Sequence, residues 1–220
     1  MIVSHAFPIN NSTDEELPKV VEENFPTYYK KTDEKMRTIQ EIESAPLIDL
    51  SKPKELAHGM KTFRIQSDGP FCFKISATIP FTPSCFQGNG DEERKGIVLS
   101  ISQEDYDKLS EFSESFKTQL IELYPDINKS WNNCMKPATE KYPSQLKAKI
   151  NVKGDRACKF YNPQGLTIEA PSNWGRLEVT AIVRLGGIYV QSKTRGAGMT
   201  LDVTHVQYDP HAQREENPFA

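Results

Sequence analysis

One run restricts the fold more than any other. Leu177, Val179, Ala181, Val183 and Leu185 take one parity of the chain, and Arg176, Glu178, Thr180, Ile182 and Arg184 take the other. A period of two places successive side chains on opposite sides of an extended backbone, so this run is predicted to be a strand with one buried and one wetter face. Gly186-Gly187 interrupts the alternation before Ile188-Tyr189-Val190. A bulge or sharp bend does this where one strand turns the corner of a barrel.

The same period recurs over residues 59–65 and 71–79, which flank the turn Ser67-Asp68-Gly69-Pro70 and are predicted to pair with each other. It returns over residues 145–154, with Leu146, Ala148, Ile150 and Val152 on one face and Lys147, Lys149 and Lys153 on the other. Residues 96–101 form a short apolar strand, and Met199, Leu201 and Val203 lead a last one to about Tyr208. Gly88-Asn89-Gly90-Asp91, Asn162-Pro163-Gln164-Gly165 and residues 193–198 carry loop chemistry.

One segment changes period. Ser102 is a good N-cap with Asp105 three residues on, and Tyr106, Leu109, Phe112, Phe116, Leu120 and Leu123 follow at spacings of three or four. This predicts an amphipathic helix ended by Tyr124-Pro125. Residues 125–144, with Pro125, Pro137 and Pro143, are predicted to be irregular or briefly helical. Five to seven strands with one helix between the early and late ones give a mainly β chain, α+β by count. That favours a small, curved, mostly antiparallel barrel or sandwich with an inserted helix, and the barrel best known for this form is the OB-fold. Periodicity leaves barrel and sandwich both open.

At 220 residues the chain holds one domain of ordinary size with room for a tail. Mean hydropathy is low, at -0.59, and residues 1–46 carry nine acids against five bases, so they are predicted to be an acidic N-terminal arm with a short helix near residues 33–44. No apolar run approaches the 18 or so residues of a membrane span, and the first residues lack a signal-peptide pattern, so a soluble, intracellular protein is expected. Cys72, Cys85, Cys134 and Cys158 show neither zinc-ligand spacing nor a disulfide framework and are expected to be reduced thiols.

Catalytic motifs are missing. His5, His58, His205 and His211 are scattered, no Gly-x-Ser-x-Gly elbow is present, and neither Gly-rich segment carries the Lys-Ser/Thr ending of a phosphate-binding loop. The acids around residues 91–93 and 104–107 fit a solvated loop and a helix N-terminus better than a metal site. A non-enzymatic chain without catalytic residues, metal or cofactor is the expectation.

Charge is unevenly spread. The whole chain carries a formal -3, yet residues 141–200 hold ten basic residues against Asp155, Glu169 and Glu178, a net of +7. Tyr142, Phe160, Tyr161, Trp174 and Tyr189 lie in the same stretch. Cations neutralise phosphates and rings stack on bases whatever the sequence, so this combination points to a groove for single-stranded nucleic acid. The same pattern also describes any half-buried sheet with core aromatics.

The late strands resemble a known group. Residues 174–190, from Trp174-Gly175-Arg176 to Ile188-Tyr189-Val190, then residues 196–207, from Gly196-Ala197-Gly198 to Val206-Gln207, are similar to the closing strands of single-stranded-DNA-binding proteins of tailed phages and large DNA viruses. Residues 50–86, with the bend Pro80-Phe81-Thr82-Pro83, and the strand and helix from residue 97 follow the same order of elements. The resemblance covers residues 47–208 and implies an OB-fold domain there, with residues 209–220 as a flexible tail. It further implies a viral protein of DNA replication, recombination or repair, acting at sites of DNA replication in the infected cell.

On this reading Lys147, Lys149, Lys153, Arg156, Lys159, Arg184, Lys193 and Arg195 neutralise phosphates, while Phe160, Tyr161, Trp174 and Tyr189 stack bases. The partner is single-stranded DNA, with RNA as the alternative ligand. Glu215, Glu216 and Phe219 are a faint version of the acidic, aromatic-ended tail with which such proteins recruit replication proteins. The oligomeric state stays open, a dimer being one option. Two other readings are a viral structural or scaffolding β-domain that self-assembles and, last, a metal-dependent enzyme at the acidic loops.

Overall fold

The computed structural model describes residues 36–67, 69–85, 93–191 and 196–212. Lys193, Arg195, Glu215, Glu216, Phe219, the glycine turn at 88–91 and most of the acidic arm lie outside the described residues.

In chain order the strands are β1 (Ile48–Glu55), β2 (Met60–Ile65), β3 (Cys72–Ile79), β4 (Arg94–Ser100), β5 (Trp131–Asn132), β6 (Met135–Lys136), β7 (Gln145–Asn151), β8 (Lys159–Tyr161), β9 (Thr167–Ile168), β10 (Leu177–Gln191) and β11 (Ala197–Gln207), with helix α1 (Gln103–Ile121) between β4 and β7. The count exceeds the expected five to seven because β5, β6, β8 and β9 are only two or three residues long. Short bridging strands carry too few residues to show a period.

Five of the strands form a ring. β3 pairs with β4, β4 with β7, β7 with β11, β11 with β10, and β10 with β3. The ring is thinnest between β3 and β4, where Thr78 faces Ser100. All these pairings are antiparallel except β7 with β11, in which Lys149 lies beside Asp202. This is an OB-like barrel with an inserted helix, the fold class the alternation favoured.

β10 organises it. Leu177, Val179, Ala181, Val183 and Leu185 are buried, and after Gly186-Gly187 the buried positions become Ile188 and Val190. The register against β11 shifts between Leu185 and Gly187, so the bulge changes which parity points inward. The first half of β10 pairs with β3 (Leu177 with Ile79 to Arg184 with Cys72) and the second with β2 (Ile188 with Phe63 to Gln191 with Met60).

The expected pairing of β2 with β3 is therefore corrected. Both run antiparallel to β10 on the same side of it, end to end, and the segment around Gly69-Pro70 is an excursion between two collinear strands instead of a hairpin turn. β10 is long enough to pair with both, over four positions with β2 and eight with β3, so the backbone groups of each find partners on the same strand.

Ser102 caps α1 as expected, its Oγ accepting from the Asp105 N–H at 3.0 Å. The helix ends at Ile121, two residues short of Leu123, which is 55% exposed. Leu109, Phe112, Phe116 and Leu120 are buried, each such side chain contributing roughly 1.5–3 kcal/mol. Phe71 meets Phe112 at 6.2 Å between centroids, and Phe63 meets Tyr124 edge-on at 6.0 Å, so the helix and the turn after it pack where β2 passes to β3.

A short 3-10 turn at Ile39–Glu41 replaces the expected helix near residues 33–44 among the described residues. Ile39 and Ile42 are buried in the core, and the Lys74 N–H donates to the Arg37 carbonyl at 2.8 Å. The last described residues of the arm are thus part of the packed domain. No helix among the described residues is long and apolar enough to cross a membrane.

Candidate nucleic-acid interface

Alternation on the barrel strands sorts side chains into an interior and an outer face. On β7, Leu146, Ala148 and Ile150 are buried while Lys147 is exposed and Lys149 half-buried. Across β4 the outward partners are Val98 opposite Lys147, Gly96 opposite Lys149 and Arg94 opposite Asn151. On the other side of β7 lies β11 with Asp202, and beyond it β10 with Arg184 paired to Asp202. β8 continues the edge of β11 that β7 leaves, placing Lys159 beside His205 and Tyr161 beside Gln207. Lys147, Lys149, Lys159, Arg184 and Tyr161, all singled out from sequence, are thereby brought onto one outer face.

Asp202 is the one acid at the outward positions of β4, β7, β8 and β11 among the described residues. Its Oδ2 accepts from Arg184 at 3.1 Å and its Oδ1 from Arg94. The carboxylate is 13% exposed, whereas the Arg94 and Arg184 side chains are 51% and 37% exposed. Sequence reasoning missed Arg94 because it follows the acids of residues 91–93. It missed Asp202 because only strand register shows that the carboxylate sits among cations.

Tyr161 stacks on His205, centroids 6.0 Å apart and planes 20° apart. His205 is the buried ring of the pair and Tyr161 the half-buried one, so a base could stack only on Tyr161. Burial, and secondly the Lys159 ammonium, push the His205 pKa down to about 4 from 6.5, so the imidazole is neutral at pH 7. Its Nδ1 lies 3.0 Å from the Thr204 hydroxyl. Between pH 6.5 and 4 the unfolded chain binds this proton and the folded chain does not, so stability should fall as pH is lowered through that window. The expected loss is on the order of 1–3 kcal/mol, and His205→Gln should flatten it in urea titrations at pH 7 and pH 4.5.

Three of the expected stacking rings are elsewhere. Phe160 and Trp174 are 7% and 8% exposed and meet edge-to-face at 5.6 Å, so both belong to the core and neither offers a face to a base. On β8 only every second residue can point outward, and with Lys159 and Tyr161 outside, Phe160 must point in. Tyr189 is half-buried beyond the Gly186-Gly187 bulge, its hydroxyl accepting from Asn132 Nδ2 at 3.4 Å, roughly 15 Å of strand from Arg184. Lys153 and Arg156 are exposed on the connection from β7 to β8, next to the face without being in it.

A concavity of about 1050 Å³ adjoins this face instead of coinciding with it. Ser76, Thr78, Thr180, Gln207, Arg176 and Glu178 line it, a polar and nearly charge-balanced set. Outward positions two apart on β10, from Thr180 through Ile182 to Arg184, lead from the groove to the cations.

The cysteines are free, and burial pushes the thiols of Cys72 and Cys134 up to about 11 and that of Cys158 to about 12, which keeps them protonated at neutral pH. Among the described residues no group of three or more His, Cys, Asp or Glu is placed to hold a metal ion.

A ring of five strands with a helix inserted after the second defines the OB-like class of barrel. Among solved structures the fold is similar to gp2.5, a single-stranded DNA binding protein encoded by bacteriophage T7, at a TM-score of 0.46 and 15% identity over 69% of this chain and 99% of that one. It is also similar to the single-stranded DNA-binding protein from bacteriophage Enc34 in complex with ssDNA, at a TM-score of 0.40 and 13% identity over 81% of this chain and 99% of that one. No family model matches the chain, and no curated protein matches it.

Proposed function

We propose that the protein binds single-stranded DNA without reading its sequence, along the outer face of β4, β7, β11, β8 and β10. The observation that carries this reading is the gathering of Arg94, Lys147, Lys149, Lys159 and Arg184 from four separate strands on one outer face, where Arg94 and Arg184 share the Asp202 carboxylate, beside the Tyr161–His205 ring stack. Phosphates need the charge and bases need the Tyr161 ring. Lys153 and Arg156 extend the cationic track, as do Lys193 and Arg195 in the proposed assignment. The domain of residues 47–208 carries this activity, and the tail with Glu215, Glu216 and Phe219 recruits replication proteins. The role that follows is the handling of exposed strands in viral DNA replication, recombination or repair.

Anisotropy of a labelled oligothymidylate tests it. Four phosphate contacts give a log-log salt slope of about -3, since each contributes about -0.7 on single strands. No binding at low salt removes the proposal, and competition with the matching RNA decides between DNA and RNA. Tryptophan quenching is a poor reporter here, because Trp174 is buried and the Trp131 indole donates to Ser113 Oγ at 2.8 Å.

A further inference from the structure

We infer that Asp202 is a positioning residue of the DNA site, holding Arg94 and Arg184 in the geometry that receives a phosphate. The inference rests on the reading above and adds a role for the acid that two arginines of the face share. By charge alone Asp202 opposes binding of an anion. Its geometry says otherwise.

Each carboxylate oxygen serves a different guanidinium, Oδ1 that of Arg94 and Oδ2 that of Arg184. The two arginines approach from opposite sides. Arg184 stands on the adjacent strand β10, whereas Arg94 reaches from β4 past the intervening β7. The carboxylate is nearly enclosed while both guanidinium side chains keep a third to a half of their surface open to solvent. A planar fork held at one nitrogen still has donors to present, and its direction is already set. Without Asp202 the two like charges repel and two long side chains regain rotamer freedom, which binding must then remove.

The backbone makes room for this carboxylate. Gly186, on β10, has no side chain, and a Cβ there would come within 2.9 Å of both Asp202 Oδ2 and Thr200 Oγ1. The glycine at the bulge is therefore where the carboxylate lies as well as where the strand changes parity.

The test is the sign of one substitution, read by oligothymidylate anisotropy on the full chain. Asp202→Asn adds a positive charge to the face, yet its affinity is expected to fall about fivefold, with a salt slope shallower by about 0.7 to 1.4, the loss of one or two phosphate contacts. In an Arg94→Gln, Arg184→Gln background the same substitution should have no further weakening effect. Gly186→Ala, which keeps the carboxylate but displaces it, should weaken binding in the same direction, and it serves if Asp202→Asn does not fold. Equal or tighter binding by Asp202→Asn overturns the inference, as does a loss that persists in full without the two arginines. If the unsubstituted protein fails to bind, both this inference and the proposed function fall; if it binds and only the variants disagree, this inference alone does.

Discussion

A protein carrying Lys147→Glu and Lys149→Glu is expected to bind single-stranded oligonucleotide on the order of 100-fold more weakly at low salt than the unsubstituted chain. Two contacts are lost and two repulsions gained, at adjacent outward positions of β7. The two sites should differ in stability. Lys147 is exposed, and Lys147→Glu should leave the melting temperature unchanged. Lys149 is half-buried next to Asp202, so Lys149→Glu sets two carboxylates side by side and should cost about 1 kcal/mol. Titrations at two salt concentrations with parallel thermal melts check both. Affinity within twofold of the original would show that nucleic acid does not cross β7.

Phe160→Ala is expected to destabilise the fold by about 3–5 kcal/mol, the usual cost of truncating a buried aromatic. Phe160 is enclosed, packed edge-on against Trp174, on a three-residue strand that its neighbours anchor to β11. A solvent-exposed stacking ring would behave oppositely, with affinity falling and stability holding. Tyr161→Ala is the matched control, expected to weaken binding by roughly 1–3 kcal/mol with a much smaller loss of stability. Urea denaturation and anisotropy on both variants separate the roles, and a stable Phe160→Ala that no longer binds would place that ring in the interface.

These two residues show where sequence reading stops. Phe160 and Tyr161 are adjacent and equally aromatic, and β8 is too short to display which parity is inward. On β7 and β10 seven or more residues alternate, and there the inward and outward sets came out correctly, including Lys147, Lys149 and Arg184. The cap at Ser102 was legible for a similar reason, since it depends on residues three apart.

Pairing partners were not. Nothing local tells β2 that its neighbour is β10 and not β3, because a ladder is chosen between segments more than a hundred residues apart. The Asp202 cluster is hidden in the same way, as Arg94, Arg184 and Asp202 meet only once β4, β10 and β11 are in register. The amino-acid sequence by itself determined most of the long strands, the mainly β class with one inserted helix, and the excess of cations late in the chain. Only the tertiary structure decided which of those cations share a face, which rings are core, and that an acid lies among them. Period and capping are set by neighbours along the chain, whereas register and burial are set by neighbours across the sheet.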